Sequence, residues 1–198
     1  LYYGIQTSRV ENLIRQVNAR IPTIKKVVGV NSTPEFKAVV FPSVEEATPS
    51  FPPISQTATD QLFFAGFAQP QYRLFVQGQM NTLTFIHELT HLYVHEAVSS
   101  SLTARIPSWL DEGLAVFLET GKSEPSSERL RSSVRPDELL PLRNMNTIPG
   151  RRDDVFIFYP QAGAFVGYLV EEYGADTMAR YLAGINNGQS AVENFNEI

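Results

Sequence analysis

"TFIHELTHLYVHE", residues 84–96, holds all three histidines of a 198-residue chain, spaced four apart at 87, 91 and 95. Positions four apart share one face of an α-helix. Leu83, Ile86, Leu89, Tyr93 and Val94 interleave with them at helical spacing, which predicts a core-packed helix over roughly 82–98. Within it, His87-Glu88-Leu89-Thr90-His91 has the form H-E-x-x-H. Two imidazoles one turn apart can hold a single ion through ring nitrogens, about 2.0–2.1 Å away for zinc. Glu88, one position on, is rotated off that axis. It can reach a water bound to the ion instead, where a carboxylate can take the proton and later deliver it to a leaving amine.

A catalytic zinc takes three protein ligands and leaves a fourth position open. "PSWLDEGLAVFLE", residues 107–119, offers Glu112 as the third. A second helix is predicted from near Ser108 to Gly121, a plausible terminating glycine. Trp109, Leu110, Leu114 and Phe117 give it a face to bury, and Gly113 permits close helix approach. His95 is the rival third ligand. Ligands at i, i+4 and i+8 spread over about 12 Å of straight helix, which one ion does not bridge. His95 therefore reads as a surface or supporting residue.

His-Glu-x-x-His followed by Trp-x-x-Glu-Gly resembles the gluzincin branch of zinc metallopeptidases, in particular the peptidase MA-like group. "YPQAGAFVGYLVEEYG", residues 159–174, is similar to a downstream helix of that group. The resemblance covers roughly residues 62–183. It implies a zincin-like fold and one Zn2+ per chain held by His87, His91 and Glu112. It also implies Glu88 as general base and hydrolysis of peptide bonds in a peptide or protein substrate. Tyr159 is the candidate donor to the oxyanion of the tetrahedral intermediate; its other reading is a tyrosine filling core space.

Two departures stand out. Thermolysin-type enzymes carry an acidic residue four positions after the glutamate ligand, behind a zinc histidine; here that position is Val116. Asp111 and Glu119 are substitutes whose ordinary reading is solvent exposure or helix capping. The Gly-x-Met-Glu-Asn signature of related aminopeptidases is absent, and "AGFAQPQYRLFVQ" in the comparable stretch has no acidic group for a free amino terminus. That favours endopeptidase action, with an extended substrate pairing along the strand edge.

The remaining chain reads as α+β. Residues 6–20 predict an amphipathic helix ended by Pro22. "IKKVVGV" and "FKAVVF", separated by "NSTPE", predict a hairpin, and "YRLFVQ" a further strand. "SVEE" and the later "SAVE" look like capping boxes. Pro160 reads as the first residue of a helix closing at Gly174. Strands thus fall mostly before residue 82 and helices after it. The expectation is one domain, a strand-rich lobe (1–81) and a helical lobe (82–198) flanking an active-site cleft.

Composition narrows function further. Net charge is −5 and the sequence pI about 5.2, against the basic footprint that nucleic acid requires. Arginines at 129, 131, 135, 143, 151 and 152 cluster locally, but Asp137, Glu138, Asp153 and Asp154 dilute them, so a solvated loop is the expected reading. The absence of cysteine removes disulfides and thiolate sites. No run reaches the eighteen apolar residues of a membrane span. The start, "LYYGIQ", leads us to expect a trimmed or mature form of an extracytoplasmic or membrane-anchored parent. A purely structural zinc site would usually show four ligands with sulfur prominent. An inactive zincin scaffold that binds peptide or protein is the second functional reading; retention of Glu88 separates the active enzyme from it.

Overall fold

The computed structural model describes residues 4–51, 65–99, 105–191 and 195. It is a mixed α+β structure, mostly helical, with one small sheet. The secondary structure runs α1 (Thr7–Val28), β1 (Lys37–Phe41), α2 (Val44–Ala47), β2 (Gly66–Gln69) and β3 (Leu74–Gly78), followed by α3 (Thr82–Ala97), α4 (Ser108–Thr120), α5 (Glu124–Ser133), α6 (Arg152–Tyr173) and α7 (Ala175–Asn186). The "SAVE" stretch and part of "TPSFPP" lie largely outside the described residues.

Two expectations about the first forty residues are corrected. α1 runs through Pro22, and "IKKVV" is its last turn and a half rather than a strand. Val10, Leu13, Val17, Ile24, Val27 and Val28 form one buried helical stripe, so burial of a 3.6-period face overrides the β-branched composition. Pro22 is exposed, where the carbonyl it leaves unbonded can reach water. Gly29 then ends the helix with φ of 75°, and its N–H bonds back to Lys25. β1 consequently has no hairpin partner before it. It pairs parallel with β3, Lys37 opposite Leu74, and β3 pairs antiparallel with β2, Gly66 opposite Gln77. Among the described residues the hairpin is β2–β3, and the sheet order β1-β3-β2 leaves β2 at an edge.

The third correction concerns Pro160. It is buried inside α6, which begins eight residues earlier, at Arg152. Val155, Phe158, Ala162, Val166 and Leu169 continue one buried face across the proline, and Asp153 and Asp154 suit the positive end of the helix dipole. Tyr159 therefore sits within α6 rather than ahead of it.

α3 starts where Asn81 accepts hydrogen bonds from the N–H groups of Leu83 and Thr84 (2.8 and 3.1 Å). The fully buried Gln77 on β3 donates to the carbonyls of Gln79 and Asn81, tying the sheet to that helix start. α4 packs between α3 and α6, and α1 packs on α3 and α7. A single apolar core runs through these helices, with Leu92, Leu110, Leu114, Phe158, Leu182 and Ile185 almost wholly enclosed.

Contact between α4 and α6 is made through glycine. A Cβ on Gly113 would lie 2.5 Å from Val166 Cγ2 and 2.6 Å from the carbonyl oxygen of Ala162. A Cβ on Gly163 would collide with Val116. No described helix is long and apolar enough to cross a membrane.

Candidate metal centre

The packing of α4 on α3 brings His87, His91 and Glu112 together. One ligand atom from each lies within 4.8 Å of the others. Glu112 Oε2 is 3.2 Å from His87 Nε2 and 3.5 Å from His91 Nε2. Around a tetrahedral ion with bonds of 2.0–2.1 Å, neighbouring ligand atoms stand about 3.3–3.4 Å apart, so this spacing fits zinc. His95 does not join them; its Nε2 lies 3.4 Å from Asp111 Oδ2, at the partly exposed rim.

Both imidazoles are held from behind. His87 Nδ1–H donates to Glu119 Oε1 at 2.8 Å, and His91 Nδ1–H donates to Asp111 Oδ1 at 2.8 Å. Each carboxylate fixes a tautomer, aims Nε2 at the common centre and raises the ring's basicity. This corrects the expectation that Asp111 and Glu119 are solvent-facing or capping residues. A sequence signal existed: residue 119 is seven beyond 112, about 20° short of two full turns, and so shares its face. Val116 is not acidic because its side chain packs on Gly163, within the helix contact.

Proton affinities follow from this packing. Burial works against a charged His87, but hydrogen bonds to Glu112 and Glu119 outweigh it and push its pKa up to about 9. His91 is opposed by burial too, yet the charges of Asp111 and Glu112 hold it well above the usual imidazole value. Burial would raise Glu112, but His91 and His87 hold it down at about 2. Asp111 is likewise kept below the ordinary carboxylate range, because His91 and His95 overcome its desolvation.

Glu88 lies in the same pocket as His87, wedged against β2. It is 6% exposed, and burial raises its pKa against the pull of the two histidines. A Cβ on Gly66 would lie 2.8 Å from its Cγ and Oε1, so β2 lies this close only because residue 66 is glycine. Tyr159 approaches the same space, its ring centroid 6.5 Å from that of His87. Burial, with the charges of Glu112, Glu88 and Asp111, pushes its hydroxyl far up, so it keeps its proton.

In front of these groups lies a pocket of about 550 Å³, in the size range of small-molecule and peptide subsites. His87, Glu88, Glu119 and Tyr159 line it, together with Leu83, Arg129, Arg152 and Phe156. The arginines were missed as site residues because their placement depends on α5 and on the early start of α6.

Two helices that bring together two imidazoles and a carboxylate, with a buried glutamate beside them, define a metallopeptidase-like centre. The chain belongs to the Peptidase MA superfamily, whose model matches residues 76–198, more than half of its length. None of the curated proteins and none of the solved structures matches the chain.

Proposed function

We propose that this protein is a zinc-dependent peptidase of the gluzincin type, acting as an endopeptidase. The observation that carries the reading is the convergence of His87, His91 and Glu112, with both distal ring nitrogens already bonded to carboxylates. These three residues would hold the ion. When bound, zinc supplies Lewis acidity, which lowers the pKa of an adjacent water from 15.7 towards about 7.

Glu88 supplies the proton chemistry. Burial raises its proton affinity, which suits a base that must give the proton back to a leaving amine. Tyr159 stays protonated and is the donor suited to developing oxyanion charge. The edge of β2, pressed against Glu88, suits an extended peptide added as a further strand. Such pairing does not require a chain end, which favours internal cleavage.

Glu88→Gln tests the reading. The variant is expected to retain about one zinc per chain by metal analysis and to lose hydrolysis of a proteome-derived peptide library. Undiminished cleavage would remove Glu88 from the mechanism. If the parent also cleaves nothing with zinc bound, yet binds peptides, the inactive-scaffold reading prevails.

A further inference from the structure

The pocket that holds His87 and Glu88 is also lined by two guanidinium groups for which the chemistry above has no use. Arg129 comes from α5 and Arg152 from the first turn of α6, and both line the same pocket as His87 and Glu88. Neither forms an ion pair among the described residues. Glu124 and Glu128 pair with Arg131 (2.7 and 3.1 Å), and Asp154 with Arg151 (4.0 Å). Of the two carboxylates that also line the pocket, Glu119 is bonded to His87 and Glu88 is buried against β2; neither pairs with Arg129 or Arg152. The Arg152 guanidinium lies over the Phe156 ring, 5.5 Å from its centroid, which restrains it beside the pocket. Leu83 and Phe156 add exposed apolar surface at the rim, 46% and 49% exposed. Unpaired arginines beside apolar surface suit a carboxylate carried on a short methylene stem.

We propose that Arg129 and Arg152 form a carboxylate-recognising wall that selects substrates with an acidic group close to the scissile bond. This rests on the peptidase reading. A pocket of this volume is roughly 10 Å across, and an extended chain advances about 3.3–3.6 Å per residue. The recognised group therefore lies within about two residues of the cleaved bond. The carboxylate belongs either to an Asp or Glu side chain or to the C-terminus of a short peptide. With a net charge of −5, the whole protein does not attract such substrates at long range, so the selection is local.

The test uses quenched fluorescent peptides identical except for Glu or Gln, at each position from three before to three after the cleaved bond. A second set compares a free C-terminus with its amide. The parent is expected to favour the carboxylate-bearing member roughly tenfold in kcat/KM, the worth of a charge-assisted hydrogen bond partly screened by solvent. The set showing the preference identifies the carboxylate's source. Arg129→Gln combined with Arg152→Gln is expected to bring kcat/KM on the carboxylate-bearing peptide down to that of its neutral twin measured on the same variant. Arg129→Glu with Arg152→Glu is expected to turn the preference towards Lys. Equal cleavage of all pairs by the parent, or a preference that survives the double substitution, overturns the proposal. Anisotropy of the same peptides, fluorescein-labelled, gives the corresponding binding ratio when nothing is cleaved. A carboxylate preference there that needs both arginines keeps the wall and sinks the peptidase reading; equal binding sinks the wall.

Discussion

Glu119 Oε1 lies 2.8 Å from Nδ1 of His87, reaching across from one helix to the back of an imidazole on another. The end of α4 that carries this glutamate is itself tied down. Arg20 of α1 donates to the carbonyl oxygens of Glu119 and Thr120, a cation at the negative end of a helix. The first helix of the chain thus reaches the metal centre through the backbone of α4.

Glu119→Ala is expected to lower zinc affinity about 10–100-fold while the fold persists, because His87 loses the acceptor that orients it. Chelator competition reads the affinity and circular dichroism the fold. Unchanged affinity would show that the 2.8 Å bond contributes nothing to the ion.

Zinc affinity is expected to rise with pH through about 9, the range in which His87 loses its proton, because His91 is held protonated above the usual imidazole range as well. Below that value His87 carries a proton in the metal-free protein, and an entering ion must displace it. Each displaced proton adds about tenfold in affinity per pH unit. The metal-free fold should move the opposite way. A pKa raised from 6.5 to about 9 stabilises the folded chain fully below 6.5, and that stabilisation is lost as pH climbs through 9. Titrations at pH 6, 7, 8 and 9, with melting curves of the chelated protein, check both signs.

Tyr159→Phe removes a hydroxyl and little volume. If that hydroxyl stabilises the oxyanion, kcat is expected to fall about 10²–10³-fold with KM nearly constant. A comparable rise in KM instead would assign the tyrosine to substrate binding.

Gly113→Ala is expected to destabilise the fold by about 1–3 kcal/mol, because the added methyl meets Val166 and the Ala162 carbonyl with no space to yield. Melting temperature should drop about 2–4 °C per kcal/mol for a chain of this size. Zinc affinity should fall with it, since Glu112 is the next residue.

Much of the centre was legible in the sequence. H-E-x-x-H within an apolar 3.6-residue repeat defines both the helix and the direction of its imidazoles, and Trp109-x-x-Glu112-Gly113 does the same for α4. The family match from residue 76 spans both motifs. The N-terminal third was less legible for physical reasons. Ile24, Val27 and Val28 suit a strand by type and a helix by spacing, and only their shared burial against α3 and α7 decides between them. The parallel pairing of β1 with β3 joins segments more than thirty residues apart, with no local turn to announce it. Pro160 misplaced the start of α6 because a proline suits a first turn better than an interior; the buried residues on both sides override that preference. Arg129 and Arg152 looked like loop charge until the helices beneath them were in place.

The glycine seam between α4 and α6 bears on how the protein would behave without the proposed ion. At Gly113 and Gly163 the spacing between these helices is set by main chain and apolar side chains, Val166, the Ala162 carbonyl and Val116. Small zinc modules come apart when stripped of metal. Here the chelated chain should remain assembled, with its ligands already gathered, so that loading is a capture event and not a refolding one.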